Sequence, residues 1–224
     1  MMQMINLLED YICASLPAAG SFSTNPNLDK KVSITGKLLP FYGNTTVFLL
    51  DGEIKTALKR LQEELYQAAG ELLADRLDPD TFHVTLHDLE NGPVQDEALT
   101  QRMAAVRHKA KEFLKLWQGR PPLRMRATWL FNMVNTSVVL GLAPADEESG
   151  MALAEMYAAL DTVVPLGYGL TPHITMAYYR PGVYSQQELR GLKKALRPVD
   201  MQLQLSTEVL VYQEFTDMNH YLCK

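Results

Sequence analysis

Residues 81–99 read TFHVTLHDLENGPVQDEAL, and residues 171–189 read TPHITMAYYRPGVYSQQEL. Each stretch carries a His-x-Thr, His83-Val84-Thr85 in the first and His173-Ile174-Thr175 in the second, ninety residues apart. On a β-strand successive side chains face opposite ways, so the histidine and threonine of each triplet share a face. At the same offset Thr81, Val84, Leu86, Gly92 and Leu99 match Thr171, Ile174, Met176, Gly182 and Leu189. Upstream, TTVFLLDG at 45–52 resembles NTSVVLGLAP from 135 to 144 at nearly the same spacing. The pattern is that of a duplicated unit of roughly half the chain. Two such units packed about an approximate two-fold axis would set the motifs facing each other across a central groove.

Composition bounds the rest. With 224 residues, 47% of them apolar and 21% charged, the chain can bury a core without cross-links. A net charge of −5 argues against a broad grip on duplex DNA, which needs a basic face. A small phosphate-containing ligand remains compatible with a local site. Cys13 and Cys223 stand at opposite ends of the sequence and define neither a disulfide framework nor a thiolate metal cluster. The N-terminus has no basic region before its apolar residues, and no run is long enough for a membrane span. A soluble, cytoplasmic monomer is therefore expected, with no membrane partner.

Along the chain, residues 2–16 have helical spacing, and 21–29 read as a linker. Strands are expected at 31–39 and 45–50, a helix at 53–76, and the first motif strand at 82–89. A helix over 95–117 precedes strands at 123–134 and 136–142 joined tightly at Asn135. A helix at 146–160, the second motif strand at 173–179, a helix at 185–196 and a strand over 201–215 complete the series. Paired strands around Asn135 imply antiparallel neighbours, so the expected class is α+β with two antiparallel sheets, a central groove and helices outside. The expected organisation is an N-terminal helix and extension (1–44), one bilobal domain (45–215, repeats 45–134 and 135–215) and a tail (216–224). There is no Gly-rich phosphate loop or dinucleotide fingerprint.

Two facing imidazoles can divide one reaction, one taking a proton from the attacking oxygen and the other giving one to the leaving oxygen. The threonine hydroxyls, one step away on the same face, can donate to the non-bridging oxygens of a phosphodiester. His83 and His87 could be imagined as zinc ligands, but no third partner follows from the spacing, and neither a metal nor a cofactor is expected. Alternating strand geometry places His87 on the face of His83 and Thr85, and Tyr179 on the face of His173 and Thr175. Tyr179 is thus a candidate to stack on a base, and Tyr42, in the loop-like PFYGN, a second.

The paired motifs His83-Val84-Thr85-Leu86 and His173-Ile174-Thr175-Met176, in a duplicated α+β chain, resemble those of the two-histidine (2H) phosphoesterases. That superfamily includes the 2′-5′ RNA ligase-like proteins and cyclic nucleotide phosphodiesterases. The resemblance spans about residues 45–215 and implies a bilobal fold whose groove is lined by His83, Thr85, His173 and Thr175. It implies metal-independent cleavage or ligation at 2′,3′-cyclic or 2′,5′-linked phosphodiesters, with a small nucleotide or RNA end as substrate. Two other readings remain: a non-catalytic binder of nucleotides or RNA ends, and a structural module whose groove takes a peptide.

Overall fold

The computed structural model describes residues 15–224. The helix expected over 2–16 lies outside them except for Ser15 and Leu16, which are not helical. The strands are β1 (Phe22–Ser23), β2 (Tyr42–Leu49), β3 (His83–Gly92), β4 (Leu123–Met133), β5 (Ser137–Pro144) and β6 (His173–Tyr178). They continue with β7 (Val183–Tyr184), β8 (Gln202–Leu205), β9 (Leu210–Asp217) and β10 (His220–Cys223). The helices are α1 (Gly52–Ala69), α2 (Glu97–Trp117), α3 (Glu147–Asp161) and α4 (Leu189–Ala195). Two four-stranded sheets form, ordered β10-β9-β2-β3 and β6-β5-β4-β8, with β1 and β7 as a separate pair. All pairings are antiparallel, as the α+β reading required. Among the described residues no helix is long and apolar enough to cross a membrane.

Local chemistry sets most of the boundaries. Asp51, Asp96 and Asp146 each accept from the backbone N–H three residues on, at 2.8, 2.7 and 2.9 Å, and so start α1, α2 and α3. The helix expected to run to Arg76 stops at Gly70, because Leu72, Leu73 and Leu77 turn inward into the core. The Ala74 N–H then donates to the Tyr178 carbonyl at 2.9 Å, fastening this segment to the end of β6. The strand expected over 31–39 is only the isolated bridge Val32–Leu38, enclosing a turn in which Gly36 has φ of 86°.

The two halves exchange strands. The run 201–215, expected as one strand, breaks where Ser206 caps a short 3-10 turn over Thr207–Val209. Its first part, β8, pairs with β4, and its second part, β9, crosses to pair with β2. The helices cross as well: α1 follows β2 yet packs on α4 and β6, while α3 follows β5 and reaches β3. One continuous core results, and it includes Phe22, Leu28, Val32 and Phe41 from the segment expected to be an extension. The segment expected to be a tail supplies the edge strand β10.

Candidate active site

Strands β3 and β6 are the edges of their sheets and lie beside each other. Their registers are copies. Against β2, His83 lies opposite Leu49 and Thr85 opposite Val47; against β5, His173 lies opposite Gly141 and Thr175 opposite Val139. Immediately after each threonine the register slips by one, leaving Leu86 and Met176 as the extra residues of two equivalent β-bulges. The bulge backbones are tied down by buried polar groups. Thr45 and Thr46 hydroxyls donate to the His87 carbonyl at 3.1 and 3.2 Å, and the Gln62 amide of α1 donates to the Met176 carbonyl at 3.1 Å.

His83, Thr85, His173 and Thr175 all line one cavity of about 380 Å³. Each imidazole is fixed in the same manner, its Nδ1 2.7 Å from a backbone oxygen two residues earlier, Thr81 for His83 and Thr171 for His173. A carbonyl oxygen can only accept, so Nδ1 carries the hydrogen and Nε2 of the neutral ring keeps its lone pair for a ligand. Burial pushes the His83 imidazole down to about 4, against smaller upward effects from the Thr81 carbonyl and the Asp88 carboxylate. The field of His173 adds to the lowering, so the two rings sense each other. Burial also lowers His173, again opposed by its carbonyl partner and by Asp88. No hydrogen bond occupies the Thr85 or Thr175 hydroxyl among the described residues, which leaves both available to a ligand.

The bulges overturn two of the expectations. One extra residue reverses the alternation, so His87 is directed into the core (1% exposed), with its Nε2 3.4 Å from the Asp161 carboxylate and its ring against Tyr157. Its edge still borders the cavity. Tyr179 is likewise turned away: it is fully buried, edge-on to Phe22 at 5.2 Å, and absent from the cavity wall. The residues that continue the motif face are instead Asp88 and Tyr178, at equivalent positions ninety apart, and both line the cavity. Tyr42 is also misplaced by the sequence reading. It opens β2 opposite Gly92, seven residues from the Leu49 that pairs with His83, and it does not reach the cavity.

Three contributors to the wall had no signal in the motifs. Tyr221 of β10 stands edge-on to His83, with ring centroids 5.0 Å apart. Lys31, from the N-terminal segment, is the one lysine or arginine among the described residues that line the cavity. The loop between α3 and β6 supplies Leu166, Tyr168 and Leu170. The matching offset of Asp88 and Tyr178 was visible in the sequence; the bulge that makes it meaningful was not. Among the described residues no three His, Cys, Asp or Glu side chains converge as metal ligands would.

No protein-family model matches this sequence, and no curated protein matches it significantly. Solved structures do. A conserved protein of unknown function from Agrobacterium tumefaciens is 19% identical, with a TM-score of 0.65 over 96% of this chain and 97% of that one. The apo form of Escherichia coli LigT is 14% identical, with a TM-score of 0.53 over 83% of this chain and 95% of that one. The same protein complexed with 3′-AMP is 13% identical, with a TM-score of 0.50 and the same coverages. Identities this low speak for the fold, and the two-sheet α+β fold that this chain shares with LigT is the one its paired motifs led us to expect of a two-histidine phosphoesterase.

Proposed function

We propose that the protein is a metal-independent phosphodiesterase acting on a small nucleotide or RNA-end phosphodiester, 2′,3′-cyclic or 2′,5′-linked. The observation that carries this reading is the pair of imidazoles on one cavity, each with Nδ1 spent on a carbonyl and Nε2 left for substrate. A volume of about 380 Å³ is that of a small-ligand site rather than a polymer track. The nucleotide bound to LigT, a protein of the same fold, adds support for the ligand class.

One neutral ring takes a proton at Nε2 from the attacking water or hydroxyl as its oxygen bonds to phosphorus. The other, protonated, gives its Nε2 hydrogen to the leaving oxygen as that P–O bond breaks. Burial favours the neutral form of both rings, and an anionic diester bound between them favours a proton on one. Thr85 and Thr175 hydroxyls donate to the non-bridging oxygens, where charge accumulates. The near-identical settings of the two rings leave the division of roles to experiment.

The reading is tested on a panel of 2′,3′-cyclic and 2′,5′-linked nucleotides in the presence of chelator. Turnover should persist with chelator and fall about 10²–10⁴-fold in H83A and in H173A. Unchanged turnover in the double variant would overturn it. A second reading, a binder without turnover, draws on the lowering of both imidazoles, since catalysis needs one of them charged. Tight binding of a 2′,3′-cyclic nucleotide with no hydrolysis would favour that alternative.

A further inference from the structure

We propose that Lys31 binds a second anionic group of the substrate, so that the preferred ligand carries a phosphate in addition to the reacting diester; this rests on the function proposed above. Lys31 is placed by a built segment. Asn25 caps the 3-10 turn Pro26–Lys30, the Lys31 N–H donates to the Leu28 carbonyl at 2.8 Å, and the Leu39 N–H donates to the Lys31 carbonyl at 2.8 Å. Buried Leu28, Val32 and Phe41 anchor this turn in the core. Its ammonium stands 4.7 Å from the centre of the Phe41 ring and 5.8 Å from that of Tyr178. Among the described residues it makes neither an ion pair nor a hydrogen bond. A half-buried cation held by ring faces alone has lost water without gaining a counter-charge, and an incoming anion restores the balance.

Position decides which anion. The reacting phosphorus belongs between the histidines, with its oxygens on the threonines. Tyr178 follows Thr175 beyond the bulge, roughly 7–10 Å further along the strand, and Lys31 leans over that outer residue. The equivalent position of the other strand carries Asp88, the one carboxylate among the described residues lining the cavity. The groove is therefore polarised. A phosphate is favoured beside Lys31 and disfavoured beside Asp88, whose charge reaches both histidines and which can accept from hydroxyl or amine donors. A substrate with charge at one end only lies in one direction, although the catalytic centre is pseudo-symmetric. The Lys31 charge also reaches His173, where it disfavours the imidazolium.

The test compares a 2′,3′-cyclic nucleotide with its 5′-phosphorylated form, in the wild type, K31M and K31R. The 5′-phosphate should lower KM about tenfold in the wild type, a single well-placed charge-assisted contact. K31M should abolish that difference, and K31R should retain most of it. The pH limb belonging to His173 should also move to higher pH in K31M, since removing a cation eases protonation. Dissociation constants of both ligands for the H83A/H173A variant, with and without K31M, give the same comparison without turnover. Equal affinity for the two ligands, or a difference that survives K31M, overturns the assignment of Lys31. Loss of turnover on every substrate, with the binding difference intact, overturns the proposed reaction and leaves Lys31 in its role.

Discussion

Strands β3 and β6 differ in almost nothing that concerns the histidine backbone and in almost everything around it. Both place Nδ1 2.7 Å from the carbonyl two residues back, both set the threonine against a buried valine, and both bulge one residue later. Their walls share no such kinship. His83 meets Tyr221 of the last strand and lies within the field of Lys55 of α1, whereas His173 lies within that of Lys31 from the first segment and beside the long loop that precedes β6. Even the neighbour across the ladder has changed. Leu49 faces His83, but Gly141 faces His173, because a Cβ there would stand 2.6 Å from the Thr128 hydroxyl and 2.7 Å from the Phe131 ring. Paired strands thus preserve the setting of the two histidines, while Lys31 and Tyr221, from outside the repeats, and the loop before β6 make their surroundings differ.

The largest expected effect breaks the pair itself. H83A and H173A should each cost about 10²–10⁴ in kcat, and the double variant should cost little more than either, because the two act as one unit. Circular dichroism should show the fold retained, since neither ring is packed in the core. A tenfold disparity between the two single variants would show that the copies have already diverged in weight. Stability against pH probes the same comparison in the unliganded protein. Burial holds His83 near 4, below the value of about 6.5 for an unfolded histidine. Between these values the unfolded chain holds the extra proton, so stability is complete above about 6.5 and declines as pH falls toward 4. Denaturation midpoints at pH 7 and pH 5 should differ less in H83Q than in the wild type.

Next in size is the contrast between neighbours Tyr178 and Tyr179. Truncating buried Tyr179 to alanine should cost about 3–5 kcal/mol of stability, read as a fall in denaturation midpoint. Its hydroxyl is buried without a partner among the described residues, so Y179F should be neutral or stabilising. Y178A should lower the midpoint less than Y179A and also raise KM, because that ring is only partly packed on the core and faces the groove. The reverse pattern would mean that the bulge at Met176 is not where the register places it. Smaller again, T85V and T175V should each lower kcat/KM about 10–100-fold, the worth of one hydrogen bond to a charged oxygen. Equal losses would extend the symmetry from the imidazoles to the hydroxyls.

These tests also mark what could be read without coordinates. The motif pair, the antiparallel sheets and the three long helices, expected from 53, 95 and 146 and found from Gly52, Glu97 and Glu147, follow from local patterns of period and spacing. The bulges do not, because an extra residue in a ladder leaves the sequence alternation unmarked while reversing every side chain after it. That single step moved the groove face from Tyr179 to Tyr178 and turned His87 into the core. Strand exchange was hidden for another reason. Leu203, Leu205, Val209 and Val211 form one apolar run, and only the cap at Ser206 separates the sheets to which its two ends belong. Lys31 and Tyr221 were out of reach because long-range placement has no local signature.

The smallest effect concerns a place where only one half of the molecule is strained. The β4–β5 hairpin turns at Val134 and Asn135, both at positive φ, 43° and 60°, with the Thr136 N–H donating to the Met133 carbonyl at 2.9 Å. Asparagine tolerates that region; a β-branched valine does not. The N-terminal segment holds the turn in place, since the Asn25 N–H donates to the Asn135 carbonyl at 2.9 Å and the Asn25 amide to the Val134 carbonyl at 3.2 Å. Val134 is exposed at the rim of the cavity, so little packing offsets the strain. V134G should stabilise the protein by about 1 kcal/mol, read as a higher denaturation midpoint. V134N should do nearly as well, because it restores a residue that mirror-image turns favour. If instead V134G raises the midpoint but also raises KM, the valine is retained for the methyl groups that it offers the groove, and the strain belongs to the site rather than to the fold.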